Sequence, residues 1–432
     1  MQRIWSVDLA AHVGERVVVA GWLHRLRRLS SVSFLIVRDA RGLAQVVLDE
    51  ACLRHIGHLH PESVLRVQGL VVATPQAPGG VELVASAIDV LSEAVEPPPF
   101  ELHRPRISAQ LPTLLDHAAV SLRHPRKQAV FRVEAASVEG FRRTLHALGF
   151  TQVFTPKLVA TATESGATVF PVDYFGRRAY LAQSPQLYKQ TLVGVFERVF
   201  EVGPVFRAEP HDTPRHLNEY VSLDAELGFV DDHTDVMVVV ERALGGMLAT
   251  LGEHNAHDLA LLGVERPRLT DRVPSIDFAD AQRLIQAASG EEVVGEPDLA
   301  PDHERWLGEW ALREHGSDFL FVTGFPMAKR PFYTHPDPNR PDRSNSFDLL
   351  FRGLEVVTGG QRLHRYADYL RALAERGQDA APLAGYLEAF KHGMPPHGGF
   401  ALGLERWVSR LVGAANVREV SLFPRDVQRL TP

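Results

Sequence analysis

The sequence predicts a two-domain α+β protein. A small all-β barrel of the OB-fold kind comes first, followed by a larger domain built on an antiparallel sheet flanked by helices. Three observations lead there. The chain has 432 residues, more than one typical domain. Its first part, to about residue 100, carries five short Val-, Leu- and Ile-rich runs separated by Gly, Asp or Pro turns, the spacing of a small closed barrel. Far downstream, 220–230 alternates cleanly, with Leu223, Ala225, Leu227 and Phe229 pointing one way and Ser222, Asp224 and Glu226 the other. Such alternation belongs to an antiparallel sheet with one face open to solvent or substrate.

The barrel strands are placed at 17–20, 33–37, 44–48, 65–72 and 81–90. Arg25, Arg27, Arg28, Arg38 and Arg41 cluster there with only Asp39 opposing them, and Phe34 lies among them. Basic groups interleaved with an exposed aromatic suit a single-stranded nucleic acid. The same residues also fit a solvated strand face with Phe34 in the core. Pro97, Pro98 and Pro99 form a stiff connector, so the barrel is assigned to 1–98, a hinge to 99–124 and the larger domain to 125–432. That domain opens with a helix. Pro125 stands at its first position, Gly149 at its stop, and Val138, Phe141, Leu145 and Leu148 recur at helical spacing. A strand over 199–209 puts Glu201, Arg207 and Glu209 on one face. Residues 231–345 read as helices ending in a polar loop at 336–345.

Composition excludes several classes. Cys52 is the single cysteine, so neither an internal disulfide nor a Cys-rich zinc cluster can form, which fits a reducing cytoplasm. Residues 1–10 do not read as a signal peptide, and no run of about 18 apolar residues suggests a membrane span. Net charge is −7, which leaves room for a local basic patch. P-loop, GxGxxG, GxSxG and HExxH motifs are absent. His392 and His397, flanking Pro395 and Pro396, read as structural rather than as metal ligands.

Three segments carry a resemblance. Phe206-Arg207-Ala208-Glu209, continued by Thr213-Pro214-Arg215-His216-Leu217-Asn218-Glu219, resembles motif 2 of class II aminoacyl-tRNA synthetases. Gly398-Gly399-Phe400-Ala401-Leu402-Gly403-Leu404-Glu405-Arg406 resembles motif 3. The helix before Gly149, with Phe154-Thr155-Pro156 after it, resembles motif 1. Ala182-Gln183-Ser184-Pro185-Gln186-Leu187-Tyr188-Lys189-Gln190, Thr161-Ala162-Thr163-Glu164, Gly359-Gly360-Gln361-Arg362 and Phe423-Pro424-Arg425-Asp426 are similar to aspartyl enzymes of the archaeal type. The resemblance spans nearly the whole chain.

It implies a two-step reaction in which ATP and an amino acid give an adenylate and diphosphate, and the aminoacyl group then moves to tRNA. Arg207 and Arg406 take the catalytic roles by gripping phosphates and stabilising charge. Glu209, Arg215, His216, Leu217, Gly403, Leu404 and Glu405 complete the ATP site, with Glu355 and Thr358, a Thr where the family has Ser, holding Mg2+. Lys189 and Arg362 grip the aspartate side chain, while Asp224 and Glu164 help hold its ammonium, Gln186 hydrogen-bonds nearby and Thr358 adjoins. Asparagine would leave two buried cations without an anion, enough for roughly 10⁴-fold rejection. The asparaginyl relatives tend to lack this lysine. The stretch 161–168 resembles a loop that closes over bound amino acid.

In the barrel, the resemblance matches Phe34, Gln45 and Arg27 to anticodon-reading positions. Arg28-Leu29-Ser30 stands where the family has Asp-Leu-Gly. His24, with a later loop proline assigned to Pro78, accompanies relaxed choice at the third anticodon position in similar enzymes. That implies charging of tRNA(Asp) and tRNA(Asn), with supply of a tRNA-dependent amidotransferase. A strictly tRNA(Asp)-specific enzyme and an asparaginyl enzyme are the alternatives. Motif 1 implies a homodimer, and the whole implies a cytoplasmic protein with no membrane partner.

Overall fold

The computed structural model describes residues 3–30, 32–160 and 168–432. The chain forms two compact units, 1–128 and 129–432.

In the first unit, β1 (Arg16–Arg28), β2 (Ser33–Arg38), β3 (Leu43–Leu48), β4 (Val64–Ala73) and β5 (Val81–Ser92) close a barrel in the order β1-β2-β3-β5-β4, with α1 (Glu50–Ile56) between β3 and β4. Alternate residues fill it: Val17 and Val19, Leu35 and Val37, Val46 and Leu48, Leu65 and Val67 are buried. The first strand is far longer than 17–20. Its outward-facing arginines, 25, 27 and 28, hide the alternation from a reading based on hydrophobic runs. The connector carries α2 (Leu111–Asp116) and α3 (Ala118–Ser121) and belongs to the barrel unit, where Arg123 reaches Glu62 at 3.2 Å. The boundary therefore falls inside the following helix, α4 (Pro125–Ala147), and not ahead of it.

The second unit is organised by an eight-stranded sheet. Its members are β6 (Thr151–Gln152), β10 (Arg198–Phe206), β11 (Glu219–Gly228), β12 (Ser275–Asp277), β13 (Phe319–Thr323), β16 (Ser346–Phe351), β17 (Leu354–Arg362) and β18 (His397–Gly403), in the order β12-β13-β16-β17-β18-β11-β10-β6. The pairs from β13 to β10 are antiparallel. A small sheet holds β7 (Leu158–Val159), β8 (Pro171–Tyr174) and β9 (Arg177–Leu181). Residues 336–345 are not a loop: β14 (Pro336–Asp337) and β15 (Arg340–Ser344) make a hairpin. The remaining helices are α5 (Gln186–Phe196), α6 (His233–His254), α7 (Ala256–Leu262), α8 (Phe278–Ser289), α9 (Pro301–His315), α10 (Tyr366–Glu375), α11 (Ala384–Lys391) and α12 (Leu404–Val412).

One face of the sheet packs on α4, α6 and α12. Phe141 of α4 meets Phe200 and Phe400 edge-on at 5.9 and 6.3 Å, and Phe319, Phe351 and Trp407 stack. Leu223, Ala225 and Leu227 join this core, as their alternation requires. Phe229 does not. It lies past the end of β11 with φ 58° and is 72% exposed. The opposite face carries Ser222, Asp224 and Glu226, all buried rather than open. Strand β10 ends at Phe206, so Arg207 and Glu209 stand in the loop beyond it, while Glu201 is taken up by Lys157 at 2.8 Å and by Thr155.

Candidate active site

Cross-strand register builds the site floor. Asp348, Thr358, Ala401 and Asp224 follow one another across β16, β17, β18 and β11 as direct neighbours. The next row is Ser346, Gly360, Gly399 and Glu226. Gly399 has to be glycine, because a Cβ there would stand 2.1 Å from Glu226 Oε2. Above the floor lies a cavity of about 290 Å3.

Helix α5 supplies the roof of the deep end. Its first turn places Gln186, Lys189 and Gln190 at helical spacing on the face that meets the sheet, and all three are buried. Lys189 Nζ donates to Asp224 Oδ1 at 2.9 Å and to the Phe400 carbonyl at 3.0 Å, and lies 3.4 Å from Glu226 Oε2. Arg362 Nε donates to Glu226 Oε1 at 3.0 Å, and its Nη2 donates to the Gly399 carbonyl at 2.9 Å. Glu226 therefore bridges the two cations. Burial pushes its carboxyl up, but Arg362 and Lys189 outweigh burial and hold it below the ordinary range. Gln186 lines the cavity with its buried Nε2 lacking a partner, a donor available to a ligand.

The other end carries three arginines, Arg207, Arg215 and Arg406. Arg207 is pinned by its own backbone, since its N–H donates to the Asn218 carbonyl at 2.8 Å and Asn218 Nδ2 donates back to its carbonyl at 2.7 Å. Its guanidinium lies over Tyr220, 5.8 Å from the ring centre. Arg406, in the first turn of α12, is 3.3 Å from the Glu355 carbonyl and 3.6 Å from its Oε1, and Thr358 Oγ1 donates to that same carboxylate at 3.0 Å. Arg215 pairs with Glu304 at 3.3 Å. Burial, then the charge of Arg406, lowers His216 to about 4, so its ring is neutral near pH 7.

The carboxylates here are crowded. Burial raises Asp348 to about 6, against the pull of Arg330 at 3.0 Å and with the push of Glu355. Burial raises Glu304 to about 7, again with Glu355 adding to it. Asp348 Oδ1 is buried with no hydrogen-bond partner. Asp348, Glu355 and Thr358 form an all-oxygen donor set with an unsatisfied atom, which fits a hard divalent cation. Among the described residues no group of three or more His, Cys, Asp or Glu side chains converges as a metal cage. Mg2+ takes one or two carboxylates and completes its shell with phosphates and water, so it does not require such a cage.

The cavity gathers Gln186, Arg207, Glu209, Arg215, His216, Leu217, Asp224, Glu355, Thr358, Gly403, Glu405 and Arg406. Lys189 and Arg362 are buried and are not part of the cavity wall, with Glu226 already between them. Two residues expected to touch nucleotide do other work. Leu404 is a core residue, 2% exposed. Glu405 accepts the Val221 N–H at 3.1 and 3.2 Å, and burial, opposed by that bond, raises it to about 8. Glu164, with the rest of 161–167, is outside the described residues. His397 is structural, bonded to the Pro395 carbonyl and to Gln190. Glu226, Asp348 and Glu304 were not singled out from sequence. Only Glu226 left a signal, as part of the charged face of β11.

In the barrel, Phe34 faces Arg27 across β1 and β2, and Arg25, Ile36 and Gln45 form the adjoining row. Phe34 is half-buried and outside the barrel core, so the core reading fails. Gln45 Nε2 donates to Glu82 at 2.6 Å. The basic cluster is not continuous. Arg38 is buried in a two-pronged pair with Glu62 at 2.7 Å, Arg41 lies over Trp5, and Asp39 caps a turn by accepting from Ser6, Arg41 and Gly42. His24 is also inside, 3.3 Å from Arg38, and burial with the Arg38 charge lowers it to about 4. It offers no surface to an anticodon. Pro78 is exposed in the second half of the β4–β5 connection, where it begins a short 3-10 turn.

The profile of class II tRNA synthetases (D, K and N) matches residues 110–427, and that of the OB-fold nucleic acid binding domain matches 17–91. The chain is 49% identical to Aspartate--tRNA(Asp/Asn) ligase of Thermus thermophilus, covering 100% of both chains. It is 38% identical to Aspartate--tRNA(Asp) ligase of Pyrococcus horikoshii, covering 97% of both. Its fold matches that of asparaginyl-tRNA synthetase from Pyrococcus horikoshii, solved with asparaginyl-adenylate, at a TM-score of 0.93 with 32% identity and full coverage of both chains. The chain belongs to the class II tRNA synthetases of the D, K and N group and carries that family's sheet together with an OB-fold domain.

Proposed function

We propose that the enzyme activates L-aspartate with ATP and transfers the aspartyl group to both tRNA(Asp) and tRNA(Asn). The carrying observation is the floor itself, where the nucleotide-side row ends in Asp224 and the neighbouring row in Glu226, with Lys189 and Arg362 bound to that pair. An aspartate seated over Asp224 has its ammonium beside a carboxylate, its side chain toward the two cations and its reacting carboxylate toward Arg207. A carboxylate oxygen attacks the α-phosphorus, the bond to the bridging oxygen breaks, and diphosphate leaves. Arg207 then holds the charge gathering on the α-phosphoryl oxygens, Arg406 and Arg215 hold the departing phosphates, and Gln186 Nε2 orients the amino acid. Asp348, Glu355 and Thr358 would hold Mg2+. When bound, it neutralises phosphate charge.

Glu226 already offsets the cations, so asparagine would not leave two of them bare. Selection falls to the donors of Arg362 that Glu226 and Gly399 leave over, and to Lys189, whose presence favours aspartate in this family. The 49% identity to a dual-specificity ligase supports the wider tRNA choice. His24 supports it only indirectly, by shaping the barrel wall through Arg38 and Glu62. A homodimer, a cytoplasmic setting and hand-over of Asp-tRNA(Asn) to an amidotransferase complete the proposal; among the described residues no helix is long and apolar enough to cross a membrane. Charging purified tRNA(Asp) and tRNA(Asn) with labelled aspartate tests it. Both should be acylated, and a blank with tRNA(Asn) would restrict the enzyme to tRNA(Asp).

A further inference from the structure

A second cavity, of about 320 Å3, opens beside the nucleotide end of the site, between α9, the β16–β17 turn, α12 and the segment 265–268. Five arginines line it: Arg266, Arg268, Arg305, Arg352 and Arg410. Against them stand three carboxylates, Glu265, Glu309 and Asp318, an excess of two positive charges in a chain of net charge −7. The local sign is therefore opposite to that of the molecule, which marks an anion site.

Not all of the five are available. Arg305 is paired with Asp302, and Arg352 with Asp318 at 3.4 Å and the Glu265 carbonyl at 3.0 Å. Arg352 and Gly353 form the turn with φ of 47° and 71°, the two positive values of a tight hairpin, and this fixes the direction of Arg352. Gly353 also lies against α9, where a Cβ would come within 2.7 Å of Arg305 Cα, so the walls are close-packed backbone. Arg266, Arg268 and Arg410 have no side-chain partner among the described residues, and Arg410 Nε is buried without one. A buried guanidinium N–H left unmatched, beside two exposed ones, is a donor set lacking its acceptor.

The cavity adjoins the site already described. Arg406 and Arg410 are one turn apart on α12. Arg215, which lines the nucleotide cavity, is bonded to Glu304, the residue before Arg305. The charges of Arg305, Glu304 and Arg215 all act on Arg410. Guanidinium groups thus run from the nucleotide pocket, past the Arg215–Glu304 bridge, into the second cavity. Its walls hold no aromatic ring and one large apolar side chain, Leu312, so a nucleobase has nothing to stack on.

We propose that this cavity is a second anion site that takes inorganic diphosphate as it leaves the nucleotide pocket. The proposal rests on the adenylate-forming reading above, which produces a multiply charged anion next to it. Planar guanidinium forks match phosphate oxygens two at a time, and three of them suffice for a diphosphate.

The test uses the full chain and a double variant, Arg266→Gln with Arg268→Gln, at exposed positions where folding should be undisturbed; a matching melting temperature checks this. Titration calorimetry with sodium diphosphate should show two sites in the unaltered protein and one in the double variant. Arg207→Gln should instead weaken the other site. In aspartate-dependent ATP–diphosphate exchange, the double variant should raise the KM for diphosphate about tenfold while kcat and the KM for ATP stay within about twofold. Equal stoichiometry and equal KM in the double variant would overturn the assignment. So would a loss of tRNA affinity with diphosphate binding intact, which would give these arginines to a phosphodiester backbone. If the unaltered enzyme shows no aspartate-dependent exchange, the functional reading fails, while the calorimetric count still reports on the cavity.

Discussion

The two ends of one sheet face handle charge in opposite ways. At the amino-acid end, Lys189, Asp224, Glu226 and Arg362 are nearly solvent-free and pair with one another at 2.9–3.4 Å, with Glu226 Oε2 held by the charge of Lys189 and by no hydrogen bond. At the nucleotide end, Glu355 repels both Asp348 and Glu304, Asp348 Oδ1 has no hydrogen-bond partner, and Arg207, Arg215 and Arg406 line the cavity. The first end is preorganised, with its desolvation cost already met by internal pairs. The second is left unbalanced for a cation and phosphates to balance. A site that must recognise a small side chain needs fixed donors, whereas one that takes up and releases a polyanion each cycle needs cations that phosphates can draw from their protein partners, as with Arg406 at 3.6 Å from Glu355 and Arg215 at 3.3 Å from Glu304.

That contrast can be broken at several points. The largest effect is expected at the open end, where Arg207→Gln or Arg406→Gln should cut adenylate formation by about 10²–10³-fold, read by ATP–diphosphate exchange, with little change in melting temperature. A large fall in melting temperature would mean that these arginines are structural. At the closed end the balance should reverse. Glu226→Gln removes the anion shared by two buried cations and should cost about 3–5 kcal/mol of stability in denaturant titration. A variant as stable as the original would show that the four charges do not form one unit.

Smaller effects sharpen the picture. Asp348→Asn should raise the Mg2+ concentration needed for half-maximal exchange by about tenfold or more. Without Mg2+ it should stabilise the protein at pH 8, because an ionised Asp348 is disfavoured in the fold. The smallest effect is on pH dependence. Glu304 is raised to about 7, so its contribution is fully present below its unfolded pKa and is lost as pH rises through about 7. Relative to the original, Glu304→Gln should therefore gain melting temperature between pH 5 and pH 8. A pH-independent difference would contradict the raising of Glu304 by burial and by the neighbouring Glu355.

How much of this was legible depended on how local each signal was. The helix Pro125–Ala147 showed itself through its own proline, spacing and terminal glycine, and the arginines of both synthetase-like motifs through adjacent residues. The barrel was visible in its apolar runs, although β1 was cut short because Arg25, Arg27 and Arg28 replace the expected pattern. Asp348 was hidden differently. It stands in Ser-Phe-Asp-Leu-Leu-Phe, a strand buried on both faces, and gains meaning only when β16 sets it opposite Thr358. Glu226 was seen as a charge but not as a bridge, since its partners come from α5 and from the far end of β17. Conversely, Arg38 and His24 look like surface groups in sequence, yet the distant Glu62 draws them inside.

The most direct measurement is amino-acid-dependent ATP–diphosphate exchange with aspartate and asparagine, on the original enzyme and on Lys189→Met. Aspartate should support exchange with kcat/KM at least about 100-fold above asparagine, and Lys189→Met should lose most of the aspartate rate. Equal or better use of asparagine, or an aspartate rate untouched by Lys189→Met, would contradict the assignment of the buried Lys189–Arg362 pair to the aspartate side chain.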